Sequence, residues 1–516
     1  FTCTDSTGTA TGTADTAQAA AANTRAPSTT CWWLAVSAVN STRVSVPARS
    51  PAGECGATNR IPVMGMGFPV WALASVVGLL AFLAARFPRA DIPSHLLGHP
   101  LVYQKELIDV ESGKELNILM RKMASDETGF PTNVAADLKT GVGAVLHEHI
   151  GEAQKARADG SCAHPFLVPD RSRENCVLPQ RVDVGRHFVM TGGPEAVREP
   201  YENMISRVSS FGRYMFNLTE YPVVESLFES DSFKAAAISV CPAGKQLLDP
   251  FQFNFIMQVP GQTVALHIDA PYYVGATRFQ FPQWLLVAMT FSGLFQDRFV
   301  DQVQVVGYLH DWVTPPGEKP SGQFLYYPKS DPLPLSVPCT PLSGSAVDGS
   351  KTLHAAGVFR PDRLPPKMDK DADNALYYIG DELWELRTTG GRVLDTFPSS
   401  DVRMTIVYRG RCFAGQEEMD AFNGQKAEDM LSLESILSTL LEDLVARGKQ
   451  PAGTKLADVD RLELSIMLLE TYVKYPFPSV ATTWMPLNYC ALPRLAGSFA
   501  PAVSWLLRPL CGVAGA

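Results

Sequence analysis

Three side chains have the types and the spacing to hold a redox-active metal: His267 and Asp269 in His267-Ile268-Asp269, and His354, 87 residues further on. The first pair closes an apolar run that follows the turn Pro260-Gly261, and so reads as the end of a strand. Side chains two apart on a strand stand on one face, so an imidazole and a carboxylate are offered together. His354 ends Gly344-Ser345-Ala346-Val347-Asp348-Gly349-Ser350-Lys351-Thr352-Leu353-His354, where a glycine-led strand and a tight turn precede a second strand. Two imidazoles and a carboxylate on one face of an octahedron leave three positions open, which Fe(II) needs to take a chelating cosubstrate and oxygen. His147 and His149 form a second metal-binding pattern, but no third ligand lies close by, and a partly exposed polar pair is the plainer reading.

The elements that must position these residues change character along the chain. Residues 1–60 are rich in Thr, Ala and Ser without apolar periodicity, and are read as disordered or untranslated sequence. From Ile61 to Ala85 there is no charge, and Arg86 follows without a small-x-small cleavage pattern, so 61–86 reads as a single-pass membrane anchor rather than a signal peptide. This implies an endomembrane location, with orientation open because Arg43, Arg49 and Arg60 balance Arg86, Arg89 and Lys105. Residues 87–240 are expected to be a mostly helical support, for example over Pro194 to Asn217.

Between Cys241 and Phe413 short apolar runs are broken by Pro and Gly, and each is read as a strand: Phe251 to Gln258, Thr263 to His267, Trp284 to Phe291, Gln302 to Tyr308, Gln323 to Tyr327, Thr352 to Ala356 and Val402 to Tyr408. Such spacing suggests an antiparallel sandwich or barrel. Residues 414–516 turn helical again, with Leu433, Ile436, Leu437, Leu440, Leu441 and Leu444 at helical spacing and Gly448 as a C-cap. The length favours more than one packed unit. A net charge of −9 without a Lys/Arg-rich stripe argues against a nucleic-acid partner. The ten cysteines include no Cys-x-x-Cys, and seven of them follow the apolar segment, which defines no disulfide framework and leaves the redox compartment open.

The 241–413 region resembles the 2-oxoglutarate- and Fe(II)-dependent oxygenase superfamily, in particular its prolyl-hydroxylase-like branch. The likeness rests on Pro260-Gly261 followed by His267-x-Asp269, on Val305-Val306-Gly307-Tyr308-Leu309-His310-Asp311-Trp312, similar to that family's hairpin strand, and on the glycine-led Ser321-Gly322-Gln323-Phe324-Leu325-Tyr326-Tyr327-Pro328. The resemblance implies an α+β chain carrying a double-stranded β-helix (a jelly roll, cupin-like) flanked by helical regions. It further implies Fe(II) on His267, Asp269 and His354, with 2-oxoglutarate and molecular oxygen consumed to oxidise a substrate that the sequence leaves undefined. A basic residue on the strand after the distal His is implied to bind the far carboxylate of 2-oxoglutarate; Arg403 fits, Arg409 shares its face, and Arg360 is a rival. Arg403 comes 49 residues after His354, so Pro361 to Ser400 must be an insertion, and Gln258 stands near where the family often has a tyrosine. His310, Trp312, Tyr272 and Tyr273 are candidates for the border of the substrate opening. A non-catalytic binding module and a metal-dependent cupin enzyme that does not use 2-oxoglutarate are the alternatives.

Overall fold

The computed structural model describes residues 91–132, 154–158, 162–164, 166–169, 174–178, 206–315, 321–330, 334–369, 372–476 and 496–511, with Ser75 and Gly78. The anchor reading of 61–86 rests almost wholly on residues outside these, and His147 and His149 lie outside them too. Among the described residues no helix is long and apolar enough to cross a membrane.

Helices and antiparallel sheets are mixed. The largest sheet has six strands, in the order Leu101–Gln104, Gly344–Val347, Gln302–Tyr308, Arg403–Phe413, Leu247–Gln258 and Phe211–Met215. A second sheet has four, in the order Leu335–Val337, Phe324–Tyr326, His354–Ala356 and Val264–His267. The six-stranded sheet is covered on both faces, and for that reason all of Gln302–Tyr308 is buried. Its outer face carries Val303, Val305, Phe253 and Tyr408, which pack against the helices Pro222–Glu229 and Asp231–Ile238. There Tyr408 meets Phe228 and Phe233 edge-on at 4.8 and 5.3 Å, pairs that add about 0.5–1.5 kcal/mol each beyond area burial. The inner face carries Val306, Val407 and Tyr308, which pack with Phe324 of the smaller sheet.

Three expectations need correction. Trp284 to Phe291 is not a strand but the core of the helix Gln283–Ser292, closed by Gly293 in the left-handed conformation (φ 73°). All eight of those side chains are buried, so the run has no polar face to reveal a helical period. The region before residue 241 is not simply helical support: Leu101–Gln104 and Phe211–Met215 form the two edges of the large sheet, the latter inside a stretch expected to be helical. Cysteine pairing is also more definite than the count suggested. Cys162 bonds to Cys176, and Cys241 to Cys412, which ties the chain ahead of Leu247–Gln258 to the end of its neighbour Arg403–Phe413. Cys339 is free and buried.

The segment between Pro361 and Ser400 folds on itself. Asn374–Gly380, Leu383–Thr388 and Val393–Pro398 form an antiparallel meander, extended by Phe130–Pro131. It returns the chain to the large sheet at Arg403. In the C-terminal region the helix Leu433–Ala446 buries Ile436, Leu437, Leu440, Leu441 and Leu444, is capped by the Ser432 hydroxyl on Ser435 N, and ends at Gly448 with φ 69°.

Candidate metal centre

His267 is the last residue of Val264–His267 and His354 the first of His354–Ala356, and the two are direct cross-strand partners. That pairing closes the 87-residue gap and brings the ring centroids to 4.3 Å. Asp269 follows two residues later, its position fixed by a hydrogen bond from its backbone N–H to Gly349 O at 2.8 Å. Asp269 Oδ1 lies 3.5 Å from His267 Nε2 and 4.0 Å from His354 Nε2. All three side chains are buried, and their donor atoms lie within 4.8 Å of one another.

The donor chemistry fits a divalent metal. His267 Nδ1 is bonded to Ala265 O at 2.7 Å and His354 Nδ1 to Thr352 O at 2.8 Å. A carbonyl oxygen only accepts, so each Nδ1 carries a proton and Nε2 is the ring atom left available as a metal donor. Gln304 agrees: its Oε1 accepts from Arg409 Nε at 3.1 Å, so its Nε2 faces His354 Nε2 at 3.2 Å as a donor. Phe324 stacks on the His354 ring at 5.3 Å and holds its plane. Burial disfavours the charged Asp269 carboxyl, but Arg409 and the two imidazoles outweigh it and hold the group well below the usual carboxylate range. Arg409 Nη2 forms the ion pair directly on Asp269 Oδ1. The site therefore offers an anionic oxygen and two imidazole Nε2 atoms.

Gly349 is part of this cradle. A Cβ there would lie 2.2 Å from Asp269 Oδ2 and 3.2 Å from His354 Cε1, so only glycine lets the loop pass behind both ligands.

A cavity of about 590 Å³ opens beside the ligands, with Val264, Phe324 and Ala356 of the smaller sheet on one wall and Ile256, Val306 and Thr405 of the larger on the other. The two candidate arginines of Arg403–Phe413 both line it, at separate places. Arg409 sits at the metal ligands. Arg403, only 4% exposed, donates from Nε to Gly322 O at 2.9 Å and from Nη1 to Gln258 Oε1 at 2.8 Å, and lies 5.1 Å over the Tyr308 ring. Gly322 (φ 67°) is needed there because a Cβ would come within 2.9 Å of Arg403 Cδ. Gln258 Nε2 is buried and has no hydrogen-bond partner among the described residues, an orphaned donor beside the guanidinium. Arg360 does not line the cavity. It sits in a turn at φ 44° and pairs with Asp401 at 2.9 Å.

The four residues expected at the substrate opening are packing residues instead. His310 stacks on Trp312 at 3.9 Å and bonds to Cys339 O at 2.8 Å; burial, aided by the Arg403 charge, pushes its pKa down to about 3. Trp312 donates to Val402 O, Tyr273 bonds to Thr290 Oγ1 at 2.6 Å, and Tyr272 packs on Phe251. The rim is formed instead by residues not singled out in the sequence, among them Arg213, Tyr214, Arg278 and Phe279. Gln304 had a visible signal, as one of two glutamines, with Gln302, at inward positions of a strand whose other residues are apolar or aromatic.

No protein-family model and no curated protein matches the sequence. Among solved structures, the chain is similar to a Pseudomonas putida prolyl-4-hydroxylase at 10% identity, over 66% of this chain and 99% of that one, with a TM-score of 0.25. It is also similar to a Trichoplax adhaerens prolyl hydroxylase in complex with a hypoxia inducible factor peptide fragment, at 8% identity over 69% and 96% of the two chains, TM-score 0.27. HygX from Streptomyces hygroscopicus, with nickel, 2-oxoglutarate and hygromycin B bound, matches at 11% identity over 39% and 69%, TM-score 0.19. Overlap this partial leaves the functional reading to the geometry of the site.

Proposed function

We propose that this protein is an Fe(II)- and 2-oxoglutarate-dependent dioxygenase, with the two sheets forming a double-stranded β-helix around the site. The observation that carries the reading is the convergence of His267 Nε2, His354 Nε2 and Asp269 Oδ1 within 4.8 Å, in a cavity that also holds a buried arginine. When bound, Fe(II) supplies the oxidising chemistry: one O₂, one 2-oxoglutarate and one substrate C–H bond become succinate, CO₂ and the hydroxylated or otherwise oxidised substrate.

The chain's own residues then have distinct tasks. Ala265 O and Thr352 O hold the ligand imidazoles in the metal-binding tautomer. Arg403 and the orphaned Gln258 Nε2 offer charge-assisted and neutral donors to the far carboxylate of 2-oxoglutarate. Arg409 orients Asp269 from outside the ligand set. The two disulfides support an oxidising compartment as the place where the protein works.

The test is spectroscopic. Purified chain loaded anaerobically with Fe(II) and 2-oxoglutarate should show a weak metal-to-ligand charge-transfer absorption, which His267→Ala and His354→Ala abolish. A wild-type chain that binds neither iron nor 2-oxoglutarate refutes the proposal.

A further inference from the structure

Strand register extends the metal site into a polar row. Gln304 is the partner of Arg409, and Arg409 of Gln252, so three side chains cross the inner face of the large sheet in line. Arg278 continues the row, donating from Nη1 to Gln252 Oε1 at 2.8 Å. The neighbouring row runs Val306, Val407, Asn254, Tyr214. It ends at the rim of the cavity, where Tyr214 is 41% exposed and Phe279 75% exposed. Two large aromatic rings open to solvent at a cavity mouth are a surface suited to an apolar ligand body.

The charge of the cavity is one-sided. Its described lining has Arg213, Arg278, Arg403 and Arg409 against a single acid, Asp269, in a chain whose net charge is −9. Three of these arginines have assignments. Arg213 is paired with Asp126, Arg409 with Asp269, and Arg403 lies where the cosubstrate carboxylate belongs. Arg278 differs: its hydrogen-bond partner is a neutral amide, its guanidinium lies 5.5 Å over the Phe279 ring, and no ion pair to it is found among the described residues. Its place is nevertheless fixed. The loop carrying it leaves Asp269 directly and is pinned by Gly275 N–H to Gln425 Oε1 at 2.6 Å and by Leu431 N–H to Gly275 O at 2.8 Å.

Resting on the oxygenase reading, we propose that Arg278 binds the anionic oxygen headgroup, carboxylate or phosphate, of a small organic substrate whose apolar body lies against Tyr214 and Phe279. A planar guanidinium with donors to spare suits either headgroup. The cavity volume of about 590 Å³ falls in the range of small-ligand sites. Arg278 is then a specificity residue: it holds the charged end of the substrate at the mouth and leaves an apolar C–H to face the metal ligands.

The test uses the full chain saturated anaerobically with Fe(II) and 2-oxoglutarate, so that Arg403 is occupied, and titrated calorimetrically with four probes. These are 4-phenylbutyrate, 3-phenylpropyl phosphate, the neutral 4-phenylbutyramide and the cationic 4-phenylbutylamine. At least one anion should bind more tightly than the amide and the amine, and comparison of the two anions identifies the headgroup. Arg278→Met should weaken anion binding on the order of ten- to a hundredfold, and Arg278→Lys should recover part of it. Failure of both anions to bind, equal binding of the amide or amine, or unchanged anion affinity in Arg278→Met would each overturn the proposal. The same titration on the metal-free chain separates the two readings. A chain without the charge-transfer absorption that still binds anions through Arg278 loses the oxygenase reading only, whereas normal absorption with no Arg278 dependence removes this inference only.

Discussion

Replacing Gly349 by alanine adds one methyl group where the metal ligands leave no room. The new Cβ would lie 2.2 Å from Asp269 Oδ2, 3.0 Å from Asp269 Cγ and 3.2 Å from His354 Cε1. Gly349 does not occupy the left-handed region, so alanine brings no backbone penalty and the effect isolates the clash. The loop cannot simply retreat, since Gly349 O accepts the Asp269 N–H at 2.8 Å and Asp348 is held by Ser350 N–H and Oγ–H. Either the carboxylate turns away from the imidazoles or the loop moves and breaks that bond. Overpacking of this kind costs about 1–3 kcal/mol of stability. A displaced ligand carboxylate should also lower metal affinity by at least the ten- to hundredfold seen when supporting contacts of a metal site are lost. The assay is anaerobic Fe(II) titration of wild type and Gly349→Ala, alongside thermal melts without metal. A Gly349→Ala chain that binds Fe(II) as tightly as wild type and also melts at the same temperature would refute the claim that this glycine makes room for the ligands. A lower melting temperature with unchanged Fe(II) affinity would show that the loop, not the carboxylate, gives way.

Three further outcomes can be checked. Arg403→Ala should weaken 2-oxoglutarate binding by about tenfold or more while Fe(II) still binds, because it removes charge-assisted donors without touching the metal ligands; equal 2-oxoglutarate affinity by calorimetry would move the cosubstrate elsewhere. His310 is neutral when folded, its pKa pushed to about 3, but protonates when unfolded below the ordinary value of 6.5. Its contribution therefore declines as pH falls below about 6.5, by up to about 1.4 kcal/mol per pH unit, and His310→Gln should melt with a shallower pH dependence between pH 7 and 5; an ordinary His310 titration by NMR would contradict this. Reduction of Cys241–Cys412, which closes a separation of 171 residues, should remove on the order of 5 kcal/mol of chain-entropy stabilisation, visible as a lower melting temperature in reductant and in Cys241→Ala/Cys412→Ala.

Features that depend on near neighbours along the chain are legible from residue order alone. Short apolar runs marked Gln302 to Tyr308 and Val402 to Tyr408 as strands, the latter running on to Phe413 in the structure, and alternation set Arg403, Thr405, Val407 and Arg409 on one face, three of them opposite Tyr308, Val306 and Gln304. Leucine spacing marked Leu433–Ala446 as a helix. The same local logic failed at Gln283–Ser292, because a helix buried all round shows no period to distinguish it from a buried strand. It also missed the rim, since Arg278 and Phe279 stand in a loop whose role depends on which wall it faces. Tertiary structure decided the rest. His354 stands beside His267 only because their strands pair across 87 residues, and strand pairing is set by burial of whole faces rather than by any short motif. It decided between the arginines as well: Arg360 falls in a turn and is taken up by Asp401, while the meander after it folds back on itself and delivers Arg403 to the buried end of the cavity.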